Sequence, residues 1–472
     1  MSPMPTRSTS PQYPASAASP TSPTAPRTSP PAPLPPPPPG RFIGWLSLAQ
    51  LISWGSVFYL FGLLLEPVER DLGLTRAQTS LGFSLALLAE GLMAWPVGRW
   101  IDQGHERAVM VGGSLLLALG LLLHSQVDSL AAFHAVWVLL GVGLAGALYP
   151  PVFAVIIRRY PQDFRRAIII VTFLGGLAST VFIPLIAGLI HALGWRHALW
   201  PLAALHLLVC APIHWRVLRG APRPEHGTVK ARSAKPGPKR GDYDLQEEKA
   251  SAGKPPTHPS TLRQHLLSAP YLLVGLFIVL FMGVVAAIPP HLVSLLRGYG
   301  LPEAWAILAP ALIGVVQVAG RALLFFFEAR WSLHTVNRII PTLVPLALLT
   351  LLLAPLLAAP FAAYALSVQI GLVLLFVALY GLGNGMLTIV KGTAVAEYVD
   401  RGQAASLNGA LGLPQALSRA ATPWLLGVMW TPAAAYRNGL WLMLGLCLLG
   451  LGALVWAQHH ATRHAGDLHQ PA

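Results

Sequence analysis

Charge is what this chain has least of: 11% of its 472 residues are Asp, Glu, Lys or Arg, against roughly a quarter in soluble globular proteins. So few ions could not cover a water-exposed surface around a chain of this length. Acids are scarcer still, 18 against 32 Lys and Arg. Cysteine is nearly absent, and Cys210 and Cys447 both fall inside apolar stretches. That excludes a disulfide framework, and no His/Cys spacing suits a metal site. No Gly-rich loop ending in Gly-Lys-Ser/Thr occurs, which removes a nucleotide-driven pump. The net charge of +14 invites a nucleic-acid partner, but there is no basic helix interleaved with aromatics and no nucleic-acid module. Nothing calls for a metal or an organic cofactor.

Apolar sequence is what is abundant, at 54%. Runs long enough to cross about 30 Å of hydrocarbon at about 1.5 Å per residue recur at 44–65, 79–98, 107–125, 131–156, 167–190, 196–218, 268–290, 304–327, 338–358, 362–390, 403–428 and 435–457. The expected fold is an all-α integral membrane protein of twelve transmembrane helices in two pseudo-symmetric six-helix halves, with the lipid bilayer as its solvent. Residues 1–40 read as a Pro-rich disordered tail without the apolar core of a signal peptide. The Pro35–Pro39 run could bind a partner domain or be simply solvated. The two halves fall at 41–218 and 267–458, joined by a Pro-, Gly-, Lys- and Arg-rich linker at 219–266 and followed by a tail at 459–472.

The Lys and Arg residues set the orientation. Arg70, Arg76, Arg196, Arg297 and Arg437 fall in the loops on one side, and Arg321 and Arg419 fall inside spans. The others, including Arg158, Arg159, Arg165 and Arg166, gather in the tails, in the opposite loops or at their membrane edges. Positive charge stays inside, so both termini are expected in the cytoplasm, in what we read as a bacterial inner membrane. The halves also repeat in sequence. Gly73-Leu74-Thr75-Arg76-Ala77 before span two matches Gly300-Leu301-Pro302-Glu303-Ala304 before span eight, and Gly141-Val142-Gly143 matches Gly381-Leu382-Gly383. Weak internal repetition of this kind marks two-halved transporters.

The loop after span two reads Gly98-Arg99-Trp100-Ile101-Asp102-Gln103-Gly104-His105-Glu106-Arg107. Its two glycines permit close backbone approach, and Asp102 can meet a helix N-terminus or a neighbouring Arg. With Gly98, Asp102, Gly104 and Arg107 in place, it resembles the signature between the second and third helices of the major facilitator superfamily. Gln103 and Glu106 depart from the basic residues usual there, and the counterpart near Glu328-Ala329-Arg330 is degraded. The resemblance covers about residues 41 to 460. It implies a conformational latch in this loop, a cavity between rocking halves, and a non-enzymatic transporter working as a monomer.

Ions inside the spans are functional candidates because burying them is costly. Glu90 lies in the middle of span two and, in the repeat, opposite Gln317; Arg321 sits one helical turn beyond Gln317. A polar residue one turn before an Arg in span eight resembles the monocarboxylate porter branch, where an Asp and an Arg serve proton coupling and carboxylate binding. The resemblance implies anion recognition by Arg321, whose guanidinium can grip a carboxylate bidentately. Gln317 cannot titrate, so Glu90 is the candidate for protons, with a helix-locking ion pair as its alternative. Arg419, about 22 Å deep in span eleven, is either a second station for the anion or a partner for Glu90. Lys391 could line the same path or snorkel to water. First and fourth helices line the cavity in the superfamily, which implies roles for Trp54, Tyr59 and Tyr149, and Asn384 of span ten joins them. His291 beside Pro289-Pro290 is a weak proton candidate at a possible gating bend, whereas His206 is expected to be packed. The expected cargo is a small organic anion of the monocarboxylate kind, with protons as the coupling ion. Efflux of drug-like compounds is the first rival. The second is a receptor or scaffold signalling through the Pro-rich tail and the linker.

Overall fold

The computed structural model describes residues 39–160, 164–220, 262–327, 333–360, 364–400 and 403–467. The Pro-rich segment to residue 38, most of the 219–266 linker and Glu328–Arg330 lie outside the described residues. Among the described residues the chain is helical, with one isolated bridge between Thr431 and Ala435. Ten helical stretches are long and apolar enough to cross a membrane. Nine are single spans: Gly40–Leu72 (one), Arg76–Asp102 (two), Glu106–His124 (three), Leu130–Arg159 (four), Ala269–Gly298 (seven), Glu303–Leu324 (eight), His334–Ala358 (nine), Ala365–Thr388 (ten) and Arg437–His460 (twelve). The tenth, Arg166–Val217, holds spans five and six, because Gly194 at φ 74° and ψ 161° turns the chain between them. Ala404–Ala410 and Gly412–Val428, interrupted at Leu411, form span eleven. The last helix runs on to Asp467, into the segment expected as a tail.

The sequence repeat is also a repeat of geometry. Gly73 (φ 64°) and Gly300 (φ 77°) both adopt the left-handed conformation that glycine alone takes cheaply. Each is followed by the same closing bond, from Leu74 N–H to the Glu69 carbonyl and from Leu301 N–H to the Leu296 carbonyl. Gly141 lets span four meet span two, since a Cβ there would lie 2.2 Å from the Ala86 carbonyl oxygen. Its counterpart Gly381 brings span ten against Val316 and the Ile313 carbonyl of span eight. Backbone cannot yield as a side chain tip can. Gly141→Ala is therefore expected to destabilise by about 2–3 kcal/mol, read as a Tm lowered by several degrees in detergent; an unchanged Tm would refute this contact.

Several elements differ from the sequence reading. Span four is not one rod: Leu148 is extended (ψ −165°), dividing it into Leu130–Ala147 and Tyr149–Arg159. Pro150 and Pro151 explain the break, because proline fits the first turn of a helix but cannot donate inside one. The buried Gln50 amide donates to the Ala147 carbonyl. Span one contains a π-helical turn at Trp54–Phe58, tightened where a Cβ on Gly55 would strike the Phe182 ring at 2.1 Å. Arg70, Arg76 and Arg297, expected in loops, belong to helices that outrun the apolar stretches. Pro289 and Pro290 lie within one continuous helical assignment, Ala269–Gly298.

Candidate functional site

Spans one, four, five, eight and ten bring most of the candidates together around Arg321. Its Nε donates to the Gly385 carbonyl of span ten at 3.2 Å and its Nη1 donates to the Thr172 carbonyl of span five. Gly176 clears the way, as a Cβ there would come within 3.0 Å of Nη1. Both acceptors are neutral, and among the described residues Arg321 forms no ion pair with a carboxylate. The Tyr149 hydroxyl lies within electrostatic range of the guanidinium. Its room comes from Gly175, where a Cβ would sit 2.3 Å from that hydroxyl. The break in span four starts a half-helix at Tyr149 and so sets this ring in place. The π turn of span one presents Trp54, whose ring centroid lies 5.0 Å from that of Tyr149 and 5.0 Å from that of Phe58. Phe153 stacks on Tyr149 at 5.3 Å. Gln317 is buried one turn from Arg321, in a small cavity shared with Tyr59, Pro289, Ile313 and Tyr380. Tyr59 is thus a full member of the cluster.

Glu90 and Arg419 lie in a separate pair. Arg419 Nη2 donates to Glu90 Oε2 at 3.2 Å, joining span two to span eleven, with Glu90 buried and Arg419 28% exposed. Arg419 is thus the Arg partner that the sequence left open for Glu90. Lys391 lies within electrostatic range of Arg419. Asn384 falls between Gly383, packed on Leu343 and Val344, and Gly385, packed on the Gln317 backbone; it makes no hydrogen bond among the described residues. His206 is fully buried and bonded to Ser56 at 2.7 Å. His291 is likewise buried, between Tyr436 and the Pro423 carbonyl.

The loop after span two is held together by a residue the sequence reading counted as a departure. Glu106, fully buried at the start of span three, accepts from Arg159 and lies 3.8 Å from Arg158, both at the end of span four. Arg159 also donates to the Leu218 carbonyl at 2.9 Å, so the cluster ties spans three, four and six. Arg107 stacks on Trp215 at 3.3 Å. Gly104 needs its freedom, at φ 88°, but Gly98 does not supply the close approach expected of it: a Cβ there would meet nothing within 4 Å. Asp102 is exposed and forms no ion pair among the described residues.

At the face of the Gly73 and Gly300 turns the two halves meet through buried hydrogen bonds and a half-buried ion pair. Arg76 is 8% exposed and forks onto Glu69 at 2.7 and 2.9 Å. It also donates to Ser294 and Tyr436 of the other half and lies over the Trp430 ring at 4.7 Å. Arg297 crosses in the reverse direction, to Glu66 at 2.8 Å. Beneath them Gly62 brings span one to the Pro289 carbonyl, where a Cβ would lie 3.1 Å away. Toward the opposite face spans two and eleven diverge: Gly91 touches Ala416, yet Trp95, one turn on, is 69% exposed. Read as a loop charge in the sequence, Arg76 is the centre of this seal; its location beside the repeated Gly-Leu turn was the available clue. Arg76→Ala should unseat it, since removing a buried charge leaves Glu69 unpaired. We expect Gln317→Cys, in the Arg76→Ala background, to react about tenfold faster with an impermeant maleimide from the Gly73 side. The native cysteines are buried, and an unchanged labelling rate would refute the seal.

The sequence profile described as Major Facilitator Superfamily matches residues 46–423. Among curated proteins, the chain is similar to Multidrug resistance protein MdtL of Shigella flexneri serotype 5b, 27% identical over 168 residues, covering 34% of this chain and 41% of the relative. The Klebsiella pneumoniae protein of the same name is 29% identical over 141 residues, 30% of this chain and 34% of the relative. The match thus spans about two-fifths or less of these relatives' length. Among solved structures, the POT family transporter PepTSo aligns with a TM-score of 0.65 at 12% identity, over 92% of this chain and 100% of its own. A D-xylose–proton symporter gives 0.63 at 14% identity, over 88% and 96%. A bacterial homologue of the lysosomal transporter Spinster gives 0.62 at 16%, over 90% and 97%. At such identities the likeness is one of fold.

Proposed function

The chain belongs to the Major Facilitator Superfamily, and from that premise we propose that this transporter moves a small organic anion, of the monocarboxylate kind, through a cavity between its halves. The observation that carries the reading is Arg321: a guanidinium deep in a membrane protein, bonded to two neutral carbonyls and, among the described residues, to no carboxylate. A substrate carboxylate can complete such a group bidentately, with Tyr149 as a second donor and Trp54 and Phe153 as apolar walls. Gln317 and Tyr59 close the far side.

The ions inside the spans support the same sign. Among the described residues Arg321 and Arg419 share the apolar runs of the spans with one acid, Glu90, and Lys391 follows the end of span ten, so the cavity carries net positive charge and attracts anions. Glu90 supplies a coupling route. When ionised it holds Arg419 across the interface between halves; on protonation it releases Arg419 and frees the halves to part. Proton entry and anion entry thereby act on one rocking motion. By the charge bias of the sequence, the sealed Gly73 face is exterior and both termini are cytoplasmic, in a bacterial inner membrane.

The names of the curated relatives favour a second reading, efflux of drug-like compounds. The intramembrane cations Arg321 and Arg419, with Lys391 at the end of span ten, argue against cationic drugs as cargo. Uptake of labelled mono- and dicarboxylates, sugars, nucleosides and a cationic dye into proteoliposomes, with and without a pH gradient, separates the two. Saturable carboxylate accumulation driven by the gradient supports the anion reading, and extrusion of the dye alone refutes it.

A further inference from the structure

A second cavity lies away from Arg321. It is an open slot of about 460 Å³ between spans two and three, floored by span four and ending under the latch loop. Spans two and three hardly touch each other, although both pack along span four. Val142 and Gly146 of span four make the floor, Gly112 and Gly113 leave the span-three wall open, and a Cβ on Gly112 would meet nothing within 4 Å. The walls include Met93, Val97 and Leu116, all apolar, and polar side chains occur only at the mouth, in Trp100, Gln103 and His105. Trp100 is 46% exposed there.

We propose that this slot is a binding site for one acyl chain of a phospholipid from the leaflet on the latch-loop side. The lining offers no hydrogen-bonding groups below the mouth, so ordered water would have no partners in it. All three walls are membrane spans, so the medium against the slot is lipid. The lengths match as well. From Ala108 at the mouth to Leu116 at the end, span three rises about 12 Å, close to the hydrocarbon depth of one leaflet, about 15 Å. A chain lying in the slot therefore leaves its headgroup at the level of Gln103 and His105, with the Trp100 indole at the interface that tryptophan favours. Lipid seated there would brace spans two and three beneath the loop that joins them, replacing contacts the two helices do not make with each other.

The test is independent of transport. The full chain is reconstituted in vesicles of phosphatidylethanolamine and phosphatidylglycerol carrying a diazirine near the end of one acyl chain, irradiated and mapped by peptide mass spectrometry. Labelling concentrated on Met93, Val97 and Leu116 is expected. Native mass spectrometry in mild detergent should retain one phospholipid on the wild type and about tenfold less on Gly112→Leu, whose side chain enters the open slot. Val109→Trp provides a second obstruction should Gly112→Leu fail to fold. Labelling spread over all lipid-facing helices in proportion to their exposure, or equal retention by the wild type and both obstructed variants, would overturn the proposal and leave only annular lipid.

Discussion

Arg321→Ala should abolish saturable uptake of the organic anion, lowering its initial rate at least about 100-fold. The magnitude follows from the role. Removing one partner of a desolvated, hydrogen-bonded charge pair costs about 2–5 kcal/mol, and each 1.4 kcal/mol is about tenfold. Arg321→Lys separates recognition from mere charge. An ammonium keeps the sign but loses the planar fork, so uptake should fall about tenfold or more, with the loss expressed chiefly in KM. Because Arg321 also ties Gly385 of span ten to Thr172 of span five, thermal unfolding in detergent must accompany the transport assay. A variant with near-wild-type Tm and lost uptake supports anion binding. Wild-type uptake by the lysine variant would remove the bidentate assignment, and wild-type uptake by the alanine variant would remove the site.

The pair joining span two to span eleven gives the second large effect. Glu90→Gln leaves Arg419 without its carboxylate. With Arg419 28% exposed, the expected loss of stability is about 2 kcal/mol, below that of a fully buried pair. Arg419→Gln alone should cost a similar amount by stranding the acid. The double variant removes both charges and should recover most of the stability, because nothing is left uncompensated. Coupling should not recover with it. Glu90→Gln and the double variant are both expected to lose accumulation driven by an imposed pH gradient, about tenfold or more, while anion exchange persists at matched pH. This contrast separates the two roles of the same ion pair. Should the double variant accumulate substrate against a gradient as well as the wild type does, Glu90 is a structural lock and the proton enters elsewhere.

These two experiments fall on residues that the sequence singled out for one shared reason: an ion in a hydrophobic span is expensive, so it stands out wherever it occurs. What could not be read was which ions belong together. Arg321 and Arg419 looked alike as deep guanidiniums in one half. Folding gives Arg419 the Glu90 carboxylate from the other half of the chain and gives Arg321, among the described residues, the backbone oxygens of Gly385 and Thr172. Partnership at such sequence separation depends on how spans two and eleven cross, and no local pattern encodes that. Arg76 was misjudged in the opposite direction. Near a helix start it reads as an interfacial charge, yet it is buried because Tyr436, Ser294 and Trp430 of the other half close over it. Glu106, taken as a blemish in a loop motif, is the acid that Arg159 needs.

Composition and hydrophobic run length by themselves determined that lipid is the solvent and roughly how many times the chain crosses it. Those properties follow from transfer free energies summed along contiguous residues, which are local and additive. The repeated glycines were legible as well, since Gly73 and Gly300 serve the same turn and Gly141 and Gly381 the same close crossing. The Pro150-Pro151 break in span four is local, but the tertiary structure alone decided that it sets Tyr149 beside Arg321, and it alone decided the π turn that presents Trp54. It likewise decided the seal around Arg76 and the slot between spans two and three. Each of these depends on side chains from distant segments competing for one volume, and that competition is resolved only when the helices pack.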